Sequence, residues 1–199
     1  MTMPLIKTAT VDELKEKFGW NDELSSHKNI SVLGEKFLIS VLKQSDYSFD
    51  FTIAKEEKGK PYFLYNDKVH FSVSDTQNYI AVAIHDKRIG IDIEYLRKGK
   101  RQLAERFFHP NEINYLNNIL HTPSYILHNT YDEAFTQLWT IKEAYVKMTG
   151  TGIAGHFSNI DLSPEDFVLQ QSYIKQGAEI NSFYDKINGL FITTCTLPK

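Results

Sequence analysis

The stretch IGIDIEYLRKGK, residues 89–100, decides how the chain is read. Ile89, Ile91 and Ile93 alternate with Gly90, Asp92 and Glu94, and a period of two marks a β-strand. The three isoleucines are expected to face a core, with Gly90, Asp92 and Glu94 on the opposite face. Two carboxylates at i and i+2 repel each other and gain nothing from packing. A hard divalent cation would offset that repulsion, since Mg²⁺ takes oxygen from one or two carboxylates plus substrate phosphates. Gly90 would then leave space for a bulky ligand beside them. A solvated sheet edge carrying two incidental acids is the competing reading, and this stretch taken alone leaves both open.

Upstream, VHFSVS and NYIAVAI flank DTQN and read as a hairpin. HDKR is a second tight turn, which makes IGIDIE the third strand of a meander. Further upstream, residues 31–44 carry apolar positions at helical spacing. KGKPYFLYN is a turn into a short extended segment, because Pro61 disfavours helix at Lys60. Downstream, LRKGKRQLAERFF is basic and helix-like. HPNE opens a further helix, with Pro110 near its start, and HTPSYILHNTYDE is a connector. EAFTQLWTIKEAYVKMTG is the strongest helix: Leu138, Ile141, Tyr145 and Met148 form one stripe, and Gly150 supplies a stop. Strands around FVLQQSYI and a hairpin ending in LFITTCTL close the chain. Helix, glycine-bearing turn (KGKP or TGTG) and antiparallel strands occur twice. The expected fold is therefore α+β with two similar halves, each a helix packed on a small antiparallel sheet, covering residues 1–96 and 97–199.

The chain has 199 residues, 42% of them hydrophobic and 24% charged, enough for one large domain or two small ones. A net charge of −3 excludes a global basic field of the kind that gathers nucleic acid. The single cysteine, Cys195, excludes an intrachain disulfide and is expected to be a buried apolar residue. MTMPLIKTATVDELKEKF lacks the apolar core of a signal peptide. No run approaches the ~20 apolar residues of a spanning helix. A cytoplasmic protein without membrane or nucleic-acid partners is expected. HExxH, the Walker lysine loop, GxGxxG and GxSxG are all absent.

Two further groupings carry possible chemistry. Glu143 and Lys147 are four residues apart and share a helix face; a plain surface ion pair is the alternative. Lys142 lies one step round the same helix, and Trp139 and Tyr145 are expected in the core. The basic run Arg97, Lys98, Lys100, Arg101 and Arg106 follows the acidic pair directly. A cation site beside lysines and arginines suits a phosphorylated ligand; a solvated face is the simpler account. His70 and His109 have no metal-ligand spacing and are read as structural.

Taken together, IGIDIE, RFFHPNE and FTQLWTIKEAYVKMTGTGI, supported by KGKPY and HFSVSDTQNYIAVAI, resemble the 4′-phosphopantetheinyl transferases. The match is to the larger pseudo-dimeric type that activates peptide synthetases such as surfactin synthetase, and it runs from about Gly59 to Ile153. The resemblance implies halves related by a pseudo-twofold axis with the active site at their interface. It implies transfer of the phosphopantetheine arm of coenzyme A to a serine of an apo acyl or peptidyl carrier protein, releasing 3′,5′-adenosine diphosphate. Asp92, Glu94 and Glu143 then match the ligands of Mg²⁺, a site that Mn²⁺ would also suit. Glu143 also matches the proposed general base, and Lys147 the residue that aids the leaving phosphate. Coenzyme A contacts fall on Lys28, Lys60, Ser74, Asp75, Lys142 and Lys147. The family segment F-N-x-S-H reads FSVSD here, so Asp75 stands where a phosphate-contacting histidine is usual, and Ser72 replaces the asparagine. A non-catalytic homologue that binds coenzyme A or a carrier protein stays open, as does another Mg²⁺-dependent phosphoryl transferase or phosphodiesterase. The basic run from Arg97 to Arg106 would steer an acidic carrier protein, with Leu103, Phe107 and Phe108 packed inward. A monomer is expected, because two fused halves complete one site.

Overall fold

Two antiparallel sheets lie edge to edge, and a long helix crosses the second of them. The computed structural model describes residues 3–20, 27–121, 130–152, 157–165 and 168–198. Strand β1 (Leu5–Thr10) leads into helix α1 (Val11–Phe18). Thr10 caps that helix in a reciprocal box with Glu13. Helix α2 (His27–Gln44) precedes the short hairpin of β2 (Ile53–Lys55) and β3 (Pro61–Phe63). Strands β4 (His70–Thr76), β5 (Tyr79–His85) and β6 (Ile89–Tyr95) follow. Then come α3 (Arg101–Phe107), α4 (Pro110–His121) and α5 (Tyr131–Thr149). Strands β7 (Gln171–Lys175), β8 (Ala178–Asp185) and β9 (Leu190–Thr196) complete the fold. The architecture is α+β with small antiparallel sheets, as expected. Among the described residues no helix is long and apolar enough to cross a membrane. Most of the expected connector, residues 122–129, lies outside the described residues.

The meander expectation fails at its third strand. The first sheet has the order β1-β5-β4, and β6 belongs to the second, β6-β9-β8-β7. β6 pairs with β9, so that Gly90 faces Cys195 and Asp92 faces Thr193. Every residue of β9 is buried, and a strand buried on both faces sits in a sheet interior with a partner on each side. Local turn signals fix the β4–β5 hairpin but say nothing about this distant partner. β4 and β6 still touch, through side chains: the Ile91 and Ile93 N–H groups donate to Ser72 Oγ (3.1 Å) and Ser74 Oγ (3.3 Å). Serine hydroxyls thus satisfy alternate donors of β6 where the two sheets abut.

The isoleucine face of β6 behaves as its period requires. Ile89, Ile91 and Ile93 are buried against Ala81 and Ala83 of β5 and Leu190 and Ile192 of β9. Helix α2 covers the first sheet, with Leu33, Leu38 and Leu42 packed on Phe71, Ile80 and Val82. The opposite face of β6 carries α5. A Cβ at residue 90 would lie 1.9 Å from Ala144 O and 2.5 Å from Met148 N. Gly90 therefore makes room for the α5 backbone, and the expectation that it leaves room for a ligand is corrected.

Helix α5 starts at a Thr130–Glu133 capping box and ends on Gly150 at φ +71°. Leu138, Ile141 and Met148 of the expected stripe are buried, and Tyr145 is partly so. Leu103, Phe107 and Phe108 pack inward with Phe135, Trp139 and Phe157. Cys195 is buried beneath Ile141. The C-terminus of α5 is held by cations, as its dipole favours. Arg88 donates to Met148 O (3.2 Å) and Thr149 O (3.2 Å), and Lys60 donates to Lys147 O. Arg88 also pairs with Glu56 at 2.9 Å, tying the β2–β3 hairpin to the same helix end.

Gly90→Ala should destabilise the protein by about 3 kcal/mol, the scale of forced overpacking in a tight core. A denaturant titration giving a midpoint equal to wild type would contradict this account of the β6–α5 contact.

Candidate active site

The acidic face of β6 and one face of α5 meet where the helix crosses the strand. Asp92 is only 5% exposed, which rules out the solvated-edge reading for it. Its Oδ1 accepts from Ser74 Oγ (2.8 Å) and Lys147 Nζ (2.6 Å). Lys147 Nζ also donates to Ser74 Oγ (2.8 Å), and the Ile93 N–H donates to the same oxygen. Ser74 thus uses its one proton and both lone pairs in locking Asp92 to Lys147. The expectation made Ser74 a coenzyme A contact; the structure makes it a buried brace between strand and helix.

Glu94 and Glu143, both partly buried, are near enough to feel the charges of Asp92 and Lys147. Burial pushes Glu143 up to about 7, with the nearby Asp92 charge adding to it and Lys147 opposing. Glu94 is raised by burial and then by Asp92, against the pull of Arg97. Arg97 Nη1 lies 3.4 Å from Glu94 Oε1, and its guanidinium sits 4.9 Å over the Trp139 ring. The three acids act on one another electrostatically, as their common face requires. They do not converge tightly: among the described residues no three acidic, imidazole or thiol side chains are gathered closely enough to form a finished metal site. Lys147 and Arg97 each hold one of the carboxylates instead.

The donor set nonetheless fits a hard cation. Asp92 Oδ2 is buried and has no hydrogen-bond partner among the described residues, an arrangement that costs free energy unless something positive takes it. All three candidate ligands offer carboxylate oxygen, the preference of Mg²⁺ and Mn²⁺.

A cleft of about 520 Å³ opens beside this group. Glu143, Lys147 and Lys60 reach it, and so do Asp75, Glu35 and Lys58. Burial, with Arg88 nearby, brings the Lys60 ammonium down to about 8. Lys60 donates to Ile89 O (3.0 Å) as well as to α5, so it fixes the hairpin while facing the cleft. Lys142 is a correction. It points away from the cleft into the core, 1% exposed, and pairs with the fully buried Glu112 at 2.8 Å and with Ile160 O at 2.8 Å. One residue is about 100° of helix, so Glu143 faces the cleft while its neighbour cannot. The backbone of Lys28 falls in the first turn of α2, and its side chain lies outside the described residues.

Two acids from a strand, an acid and a lysine from a crossing helix, and a lysine-bearing cleft are a combination whose charges suit a phosphorylated ligand. The sequence profile of the 4'-phosphopantetheinyl transferase superfamily matches residues 88–195, more than half of the chain, and the chain belongs to that superfamily. The match begins at β6 and ends in β9, the two strands that pair beneath α5. The chain is 35% identical over 127 residues to the 4'-phosphopantetheinyl transferase gsp of Aneurinibacillus migulanus, covering 62% of this chain and 49% of that protein. It is 34% identical over 99 residues to a 4'-phosphopantetheinyl transferase of Bacillus subtilis, covering 50% and 41%. With HetI of Nostoc sp., also a 4'-phosphopantetheinyl transferase, identity is 32% over 142 residues, covering 64% and 54%. The chain spans about half the length of the curated relatives it matches.

Because the folded Glu143 holds its proton to about pH 7 and an unfolded one only to about 4.5, its contribution favours folding at low pH. That contribution is lost as pH rises through 7. Glu143→Gln should therefore melt at the wild-type temperature near pH 4 and roughly 3 °C or more above it near pH 8, in chelator. Equal melting temperatures at both pH values would contradict the crowding of acids described here.

Proposed function

We propose that this protein transfers the 4′-phosphopantetheine group of coenzyme A to a serine of an apo acyl or peptidyl carrier protein, releasing 3′,5′-adenosine diphosphate. The observation that supports the reading is the Asp92–Lys147 pair beside a cleft that Glu143, Lys147, Lys60 and Lys58 line. In this reading Asp92, Glu94 and Glu143 hold Mg²⁺, with Mn²⁺ as a substitute. A cation there supplies charge neutralisation at the donor diphosphate. The remaining work falls to the chain. Glu143 takes the proton of the carrier serine, whose hydroxyl is a weak nucleophile without a base. The serine oxygen bonds to the phosphorus on the pantetheine side, and the bridging P–O bond breaks. The departing nucleotide keeps the electron pair. Lys147 spends two of its N–H groups on Asp92 and Ser74 and has a third for the leaving phosphate. Lys60 borders the path of the diphosphate.

The same reading treats residues 1–96 and 97–199 as halves related by a pseudo-twofold axis, with the site between them. It takes the protein as a cytoplasmic monomer, independent of membranes and nucleic acid. It takes Arg97, Lys98, Lys100, Arg101 and Arg106 as the landing surface for an acidic carrier protein, with Arg97, paired to Glu94, as the member at the site.

Incubation with coenzyme A, Mg²⁺ and an apo carrier protein should add the mass of one phosphopantetheine arm to the carrier. Asp92→Ala and Glu143→Ala should each lower that transfer by at least about 100-fold, the scale expected for general-base and charge-stabilising groups, with circular dichroism unchanged. Wild-type turnover in either variant would contradict the assignment, and nucleotide release without carrier modification would mark a hydrolase.

A further inference from the structure

The β2–β3 turn sets an acid beside a base. The Glu56 N–H donates to Lys60 O (2.8 Å) and the Gly59 N–H to Glu56 O (2.8 Å), so Glu56 and Lys60 share the base of the turn. Neighbours of opposite charge would ordinarily pair, yet the structure pairs each elsewhere. Lys60 donates to two neutral carbonyls, Ile89 O and Lys147 O, and its charge stays uncancelled by them. Glu56 is taken by Arg88, the residue before β6: Nη1 meets Oε1 and Nη2 meets Oε2, both at 2.9 Å. A planar guanidinium suits that two-point grip and an ammonium does not.

Lys60 borders two hollows. One is the cleft, which it lines with Glu143 and Lys147. The other, about 200 Å³, is bordered by Lys60, Glu56 and Arg88. Glu56 Oε2, Arg88 Nη2 and Lys60 Cδ come within 2.8, 3.0 and 3.2 Å of the place a Gly150 Cβ would occupy, so the three side chains crowd one point at the end of α5. Burial and then Arg88 weaken the hold of Lys60 on its proton, and Glu56 strengthens it. The carboxylate thus acts on Lys60 even while Arg88 grips it. With the Arg88 charge removed, Lys60 is the cation left at this point, and pairing with Glu56 would turn its ammonium from the cleft to the second hollow.

Resting on the transferase reading above, we propose that Arg88 is a positioning residue for donor binding: it takes up the Glu56 carboxylate and thereby keeps the Lys60 ammonium turned to the cleft, where the diphosphate of coenzyme A lies. Arg88 does not itself line the cleft. Its effect passes through Lys60 and falls on donor affinity, leaving serine attack to Glu143 and Lys147. Arg88 also donates to Met148 O and Thr149 O. A helix cap alone would weaken the fold whatever charge residue 56 carries, and that difference separates the two roles.

The test measures KM and kcat for coenzyme A with saturating apo carrier protein and Mg²⁺, and Kd for coenzyme A by calorimetry. Arg88→Met should raise KM and Kd about fivefold or more, the scale of one competing ion pair, with kcat within about twofold of wild type. Arg88→Gln keeps N–H donors for the helix carbonyls but no charge; it should behave the same way and is decisive if Arg88→Met does not fold. Glu56→Gln alone should leave KM and Kd near wild type. Added to either Arg88 variant, it should bring both back to within about twofold of wild type, because the two residues act as one unit. Wild-type KM and Kd in Arg88→Gln would overturn the inference, as would a double variant no better than the single one, and either result leaves the transferase reading intact. A wild-type protein that neither binds coenzyme A nor modifies the carrier overturns the transferase reading and the inference with it.

Discussion

The backbone of α5 lies directly against the backbone of β6 at Gly90, and the site depends on that contact. Ala144 O and Met148 N are the atoms a side chain at residue 90 would strike. Glu143 and Lys147 each precede one of those contact residues along the helix. Wherever Ala144 and Met148 are pressed against the strand, Glu143 and Lys147 are brought to its acidic face. A methyl group at residue 90 would lift the helix and open the gap between Asp92 and Lys147. The cations at the far end of α5 reinforce this. Arg88 and Lys60 bond its last carbonyls, so the hairpin that forms one wall of the cleft is anchored to the helix that forms its floor.

The electrostatic arrangement works against folding. Three carboxylates share a partly dry region, Glu143 and Glu94 are pushed toward their neutral forms, and one oxygen of Asp92 is buried without a partner among the described residues. Lys147, Ser74 and Arg97 offset only part of this. Sites that assemble like charges commonly give up stability for function. The second buried pair, Glu112 with Lys142, has a different character. Glu112 also accepts from the His109 and Leu162 N–H groups, so every charge there is matched. It joins α4, α5 and the segment after Phe157 on the side of α5 away from the cleft, a register-setting use of a buried ion pair.

Much of this was readable from the chain, for reasons tied to local periodicity. Alternation in IGIDIE assigned Ile89, Ile91 and Ile93 to a core and set Asp92 and Glu94 on the other face. The stripe of α5 and its Gly150 stop were legible because helix spacing and capping are short-range properties. The TVDE capping box at Thr10–Glu13 was an available signal for α1 that periodicity did not supply. Lys142 was misplaced because it adjoins Glu143 in sequence, whereas a helix turns adjacent residues to different faces. Its partner Glu112 is 30 residues away, so no spacing rule could have joined them.

The sequence by itself determined which residues alternate, which helix carries Glu143 and Lys147 on one face, and where the chain turns. Those follow from bonds and sterics between near neighbours. Only the tertiary structure decided that β6 pairs with β9 rather than continuing a meander, and that Gly90 admits a helix rather than a ligand. It also decided that Ser74 braces Asp92 against Lys147. Each of these depends on segments far apart in the chain burying shared surface, and local patterns carry no record of which distant partner will supply it.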